Sequence, residues 1–193
     1  MAASNGLGRP LMLHYERNAL QLRERAGLAQ LAVFNPFEHL VTFDVIIKYP
    51  DEFTDTPDEL IAEIEKHNAK DWSAVSDVLP NGKLLTLLNR NQTEERKNVT
   101  LLEEIAHQHY GHEPSVIGSD GRKNYDKAQE QEAYFTASAA LLPGIAVARA
   151  VFQKKPAAEV ARTFGASIDL YIMRVKTMSL WKEYQRFASE EAA

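Results

Sequence analysis

The chain has 193 residues, 45% of them hydrophobic, with a formal net charge of -5 and no cysteine. This composition suits one domain of ordinary size with a real core, and the lack of cysteine excludes disulfides and leaves His, Asp and Glu as the available metal ligands. The acidic balance gives no overall field that attracts nucleic acid, and no apolar run in the sequence approaches the roughly 20 residues that span a bilayer. We therefore expect a cytoplasmic globular protein with no membrane partner.

The first half of the chain predicts helices around two strands. Apolar residues recur along residues 11–31, which is typical of one or two amphipathic helices. Residues 41–49 are rich in β-branched and aromatic side chains and predict a strand. A proline followed by two acids predicts a helix over residues 57–67. Residues 84–91 predict a second strand, which pairs antiparallel with a neighbour and lies at the edge of the sheet.

Two segments in the second half carry acids and imidazoles on predicted helices. The first, T-L-L-E-E-I-A-H-Q-H-Y-G-H over residues 100–112, predicts a helix that starts with a capping box at Thr100 and ends near Gly111. Glu103 and His107 are four residues apart and therefore share one face, with Glu104 beside them. This is the layout of the H-E-x-x-H metallopeptidase helix, except that Glu103 stands in place of the first His.

The second segment, E-Q-E-A-Y-F-T-A-S-A-A-L-L-P over residues 130–143, predicts a buried helix that carries Glu132. Its small residues permit the close helix packing that would bring Glu132 against the first helix. Glu130 is the alternative to Glu132 as the acid that meets the first helix. The two acids are separated by two positions, so they point to different sides of the helix. His109 and His112 do not share the face of the Glu and His pair on an ideal helix, so we expect each at the surface or at the helix end.

The C-terminal part predicts the outline of a helix-turn-helix. Residues 160–176 form a helix, a turn at Gly165 and an N-cap at Ser167 before a second helix. The second helix offers only Arg174 and Lys176 as basic residues, whereas a DNA-reading helix has a basic phosphate-binding surround. We therefore favour packing or partner recognition over DNA binding as the role of these two helices. A DNA-binding accessory protein is the least favoured functional hypothesis.

Together, the two segments resemble the ImmA/IrrE metallopeptidases, which are related to the zincins. The matching residues are Asn89, Arg96, Thr100, Leu101, Glu104, His107, Gly111 and His112 in the first block and Glu132, Ala133, Ala137, Leu141 and Pro143 in the second. The resemblance implies an α+β fold, with a mostly helical zincin-like domain and a small antiparallel sheet over residues 1–150. Residues 151–193 would form a C-terminal helical extension, similar to a helix-turn-helix, that packs on this domain.

The resemblance implies a metal-dependent endopeptidase with Glu103, His107 and Glu132 as metal ligands and Glu104 as general base. The metal would be Zn2+, with Mn2+ as the alternative, because two carboxylates would weaken the ion as a Lewis acid and shift preference toward harder ions. The implied partner is a protein substrate, commonly a helix-turn-helix transcriptional repressor of a mobile element or stress regulon.

Two alternatives follow from the acid at position 103. Glu103 and Glu104 also suit an ordinary first helical turn, where the helix dipole favours acids, with His107 packed in a cleft. The second alternative is a catalytically degenerate member of the family, which binds a regulator through the former active-site cleft without cutting it.

Overall fold

The structure is a computed structural model and describes residues 8–52, 72–112 and 126–191. These residues form seven α-helices, three β-strands and two short 3-10 helices. The α-helices are α1 Arg9–Arg25, α2 Glu94–Tyr110, α3 Lys127–Leu141, α4 Gly144–Phe152, α5 Ala157–Phe164, α6 Ile168–Thr177 and α7 Trp181–Glu191. The strands are β1 Val45–Lys48, β2 Ala74–Val78 and β3 Leu84–Leu88, and the 3-10 helices are Pro36–His39 and Pro50–Glu52. The predicted α+β class is confirmed, while the helix predicted over residues 57–67 lies outside the described residues.

The chain divides into two compact units, which are described separately. One consists of Met1–Asn35 with Phe135–Ala193, and the other is Pro36–Tyr134. The domain boundary predicted at residue 150 stays a prediction.

A three-stranded mixed sheet, in the order β1-β3-β2, lies in the unit of residues 36–134. β1 runs parallel to β3, and β2 runs antiparallel to it with Ser76 opposite Thr86. The hydroxyl oxygens of these two residues are 2.9 Å apart, and Thr86 is fully buried. The expected antiparallel pairing is therefore correct for β2 and β3, whereas β1 and β3 pair in parallel.

β3 is the central strand of the described sheet, so the prediction of an edge strand over residues 84–91 is wrong. Its alternate residues Leu84, Thr86 and Leu88 are buried, because the strand has a neighbour on each side and α2 packs against it. The strand predicted over residues 41–49 is also shorter than expected. Residues 41–44 form a turn that ends at Asp44 with a φ of 56°, a left-handed conformation that Asp adopts more readily than most residues.

α2 starts earlier than the sequence suggests. The Thr93 hydroxyl oxygen accepts a hydrogen bond from the Arg96 N–H at 3.3 Å, and Glu94 and Glu95 occupy the first turn. The capping hydroxyl accepts a hydrogen bond from one of the otherwise unpaired N–H groups of the first turn, and the acids interact favourably with the positive end of the helix dipole. The predicted start at Thr100 is therefore wrong, since Thr100 is buried within the helix. α2 packs on β2, β3 and the Pro36–His39 turn.

Two buried arginines hold the α3–α4 junction in the unit of residues 1–35 and 135–193. Arg174 donates to the carbonyl oxygen of Leu142 at 3.0 Å and forms an ion pair with Glu16. The Glu16 carboxylate also accepts a hydrogen bond from the Gly144 N–H at 3.1 Å. Arg23 donates to three backbone carbonyl groups, and burial lowers the pKa of its guanidinium. These contacts join α1, α6 and the chain between α3 and α4.

The predicted helix-turn-helix outline is confirmed by α5 and α6. α5 ends at a left-handed Gly165, and the Ser167 hydroxyl caps α6 by accepting a hydrogen bond from Leu170 N–H at 3.1 Å. Arg174 is fully buried in its ion pair, and the Lys176 ammonium lies 4.8 Å from the centre of the Trp181 ring. Both basic residues of α6 therefore contact other parts of the same unit.

No helix in the described ranges is by itself long and apolar enough to cross a membrane. In the same described ranges, α3 and α4 taken together have the length and composition of a possible span, and they are bent by 54° at their junction.

Candidate functional site

α2 ends in a turn that folds the chain back over its last residues. Gly111 has a φ of 68° and a ψ of 33°, and its N–H donates to the carbonyl oxygen of Gln108 at 3.1 Å. The N–H of His112 donates to the carbonyl oxygen of His107 at 3.0 Å. These two bonds form a Schellman motif. As a result, residue 112 lies beside residue 107 instead of continuing away from the helix.

The His112 side chain contacts residues of both α2 and α3. Its Nδ1 is 2.9 Å from Nδ1 of His107, and its Nε2 is 3.1 Å from Oε2 of Glu132. The Tyr110 ring stacks on the His112 ring with a centroid distance of 5.2 Å and an interplanar angle of 11°. The side chain is only 7% exposed, compared with 30% for Glu132. His112 therefore connects two of the predicted metal ligands, which lie on separate helices.

The hydrogen-bond partners determine the proton positions when both imidazoles are neutral. An ionised carboxylate only accepts, so His112 donates its Nε2–H to Glu132 and has its lone pair on Nδ1. His107 must then donate its Nδ1–H to that lone pair. The lone pair of His107 therefore lies on Nε2, which is 3.9 Å from Oε2 of Glu130.

Both acids of α3 lie near imidazoles at the end of α2. Asp126 fixes the start of α3, because its Oδ1 accepts hydrogen bonds from the N–H groups of Ala128 and Gln129 at 2.9 and 3.3 Å. This places Glu130 in the first turn, near His107, and Glu132 within hydrogen-bond distance of His112. Glu130 and Glu132 each lie near a different imidazole, Glu130 near His107 and Glu132 near His112. Their spacing on α3 therefore does not exclude either acid from the cluster.

Glu103 and Glu104 lie within α2, and both are half-buried. Glu103 is one turn before His107, as the four-residue spacing predicts. Among the residues that the structure describes, no three His, Asp or Glu side chains are placed so that they could hold a metal ion. The ligand set Glu103, His107 and Glu132 and the base Glu104 thus stay predictions.

The donor chemistry of the cluster fits a divalent metal. Zinc takes imidazole nitrogen and carboxylate oxygen in its protein sites, and the predicted set supplies one imidazole and two carboxylates. The structure brings two of these donors, on His107 and Glu132, into one cluster through His112.

His112 is the site residue that sequence reasoning missed. Its predicted location at the helix end is correct, but the ideal-helix argument for its direction fails because the helix has already ended. The available signal was the Gly-His pair after Tyr110. A glycine in the left-handed position after a helix predicts a turn in which the next residue bonds back to the last helical turn.

The paired acids and imidazoles of α2 and α3 are features of a metallopeptidase-type site. A comparison with protein families agrees, because residues 58–176 match the peptidase family described as the IrrE N-terminal-like domain. The match spans more than half of the chain, so the chain belongs to this family of metallopeptidases and the resemblance to ImmA/IrrE proteins is confirmed. No curated protein and no solved structure gives a match.

Proposed function

We propose that the chain is a metal-dependent endopeptidase of the ImmA/IrrE kind that cleaves a helix-turn-helix transcriptional repressor of a mobile element or stress regulon. The observation that supports this most is the connection of His107 to Glu132 through His112, which brings predicted ligands of two helices into one polar cluster. Family membership supports peptide hydrolysis, and the resemblance to ImmA/IrrE proteins supports a repressor as substrate.

The proposed roles follow the residue types. Glu103, His107 and Glu132 hold Zn2+, which the affinity order favours, or Mn2+, which an oxygen-rich set favours. When bound, such an ion supplies Lewis-acid polarisation of the scissile carbonyl group. Glu104 takes the proton from the attacking water, a role that suits a half-buried carboxylate one residue from a ligand.

The test of catalysis compares Glu104→Gln with Glu95→Gln. Glu95 is exposed in the first turn of the same helix, so its substitution is a matched control for the loss of one negative charge from α2. Each variant is co-expressed with candidate repressors from the source genome, and cleavage is followed by intact-protein mass spectrometry. We expect cleavage by the native chain and by Glu95→Gln and none by Glu104→Gln. Cleavage by Glu104→Gln would show that another group is the base.

A regulatory binding module that does not cut its partner is the second candidate. Glu103 in place of a His ligand favours it. The measurement is repressor binding by calorimetry with and without EDTA, together with intact mass before and after incubation. Binding that is unchanged by EDTA, with no cleavage, supports this candidate over the endopeptidase.

We infer that α5 and α6 serve packing or protein recognition and that DNA is not a partner. The contacts of the two basic residues of α6 support this, because Arg174 is fully buried in its ion pair and the exposed Lys176 lies over the Trp181 ring. The surface of α6 therefore presents a single basic group, which is fewer than a DNA-reading helix needs. DNA binding that weakens steeply with salt would contradict the inference.

A further inference from the structure

We propose that His112 is a positioning residue that fixes the tautomer of His107 and the orientation of Glu132 by bridging these two side chains. The consequence for metal affinity rests on the proposed function. The bridge itself is a property of the folded chain and can be tested without a metal.

The geometry holds the His112 ring in place on several sides. The Schellman turn at Gly111 fixes its backbone, and Tyr110 stacks on its face. The rings of His107 and His112 meet edge to face, with centroids 4.9 Å apart and an interplanar angle of 72°. With its side chain only 7% exposed and each ring nitrogen at hydrogen-bond distance from one partner, His112 has little freedom to turn.

The bridge has a chemical direction, because a neutral imidazole has one donor and one acceptor nitrogen. Glu132 requires the donor, so His107 meets the acceptor and must carry its own proton on Nδ1. A histidine that ligates a metal donates its other ring N–H to a partner that fixes its tautomer. His112 occupies that position for His107, and it also restrains one oxygen of the Glu132 carboxylate.

Two substitutions separate the bridge from the bulk of the side chain. His112→Phe keeps an aromatic ring for Tyr110 but has no nitrogen, whereas His112→Gln keeps one donor and one acceptor. His109→Phe is the control, because His109 also contacts the Tyr110 ring, at a centroid distance of 5.4 Å. All variants are made in the full chain.

The first readout is 15N NMR of the histidine rings in mildly alkaline buffer with a chelator. We expect the proton on Nδ1 of His107 and on Nε2 of His112 in the native chain. In His112→Phe, the His107 proton should redistribute to Nε2, and His112→Gln and His109→Phe should keep the native pattern. A native His107 with its proton on Nε2, or a His107 tautomer unchanged in His112→Phe, would overturn the proposal.

The second readout is zinc affinity, measured by competition with a chromophoric chelator. We expect a loss of roughly 10–100-fold in His112→Phe, as for other partners of metal-bound histidines, and a change of only a few-fold in His112→Gln. Equal affinity in the native chain and His112→Phe would contradict the proposal while leaving the proposed function intact. A native chain that takes no zinc but shows the expected tautomers would retain the bridge and remove the metal-dependent function.

Discussion

Replacing Gly111 by Ala tests whether the left-handed turn determines where His112 lies. An added methyl group at Gly111 meets no heavy atom within 4 Å, so the cost comes from the φ of 68° and not from a clash. The left-handed conformation costs an alanine about 1–2 kcal/mol, and reduced freedom of the unfolded chain returns about 0.4–1 kcal/mol of this. We therefore expect a net loss of about 1 kcal/mol, or about 2–4 °C in melting temperature for a chain of this size.

Gly82→Ala is the matched control for this measurement. Gly82 has a φ of 82°, also has no atom within 4 Å of an added methyl group, and lies in the turn between β2 and β3. Urea denaturation should give similar losses for both variants, whereas only Gly111→Ala should disturb the His107 and His112 ring signals in 15N NMR. Native stability in Gly111→Ala, or native ring signals despite the expected loss, would refute the link between the turn and the position of His112.

Two further predictions concern the unit of residues 1–35 and 135–193. Glu16→Gln should lower the free energy of unfolding by roughly 3 kcal/mol, because it leaves the buried Arg174 cation without its carboxylate; exposed Glu24→Gln is the control and should change it by less than about 0.5 kcal/mol in urea denaturation. Burial, with a smaller contribution from Tyr184, raises the pKa of Tyr171 to about 12. An unfolded tyrosine ionises near pH 10, whereas the folded Tyr171 keeps its proton to about pH 12. The contribution of Tyr171 to the free energy of unfolding should therefore be fully present below about pH 10 and fall by up to about 1.4 kcal/mol per pH unit toward pH 12. Tyr171→Phe should remove this decline in urea titrations across that range, and a decline that persists unchanged would assign it to other groups.

Several helix ends are predictable from the sequence because their signals are local. The left-handed glycine that ends α2 and the N-cap of α6 are encoded by adjacent residues, and both are confirmed at Gly111 and Ser167. The sequence predicts too late a start for α2 because Thr93 and Thr100 are both followed by acids within three residues. Only burial distinguishes the two, since Thr100 lies in the core and Thr93 is exposed.

The sheet was less predictable because pairing depends on contacts distant in sequence. β2 carries exposed Val75 and Val78 and lacks a clear apolar alternation, so it was not predicted. Without β2, the neighbour that makes β3 central is missing, so the sequence pattern predicts β3 at the edge of the sheet. Strand preference mostly reflects packing against neighbours, which sequence pattern alone does not supply.

The site itself was predicted at the level of residues on helices but not of contacts between helices. The spacing of Glu103 and His107 follows from the helical repeat. The meeting of His112 with Glu132 depends on how the turn after α2 lies against the start of α3, and no periodicity encodes that arrangement.

The most direct measurement of metal dependence is the metal content of the chain, purified without added metal or chelator and analysed by elemental mass spectrometry. His107→Ala is the comparison, and His39→Ala, which removes an imidazole that is not in the predicted ligand set, is the control. We expect about one zinc or manganese ion per native chain and per His39→Ala chain, with its loss in His107→Ala, since a catalytic site needs its imidazole ligand. A native chain that holds no metal and takes up no added zinc would contradict the metal-dependent function and favour the binding module.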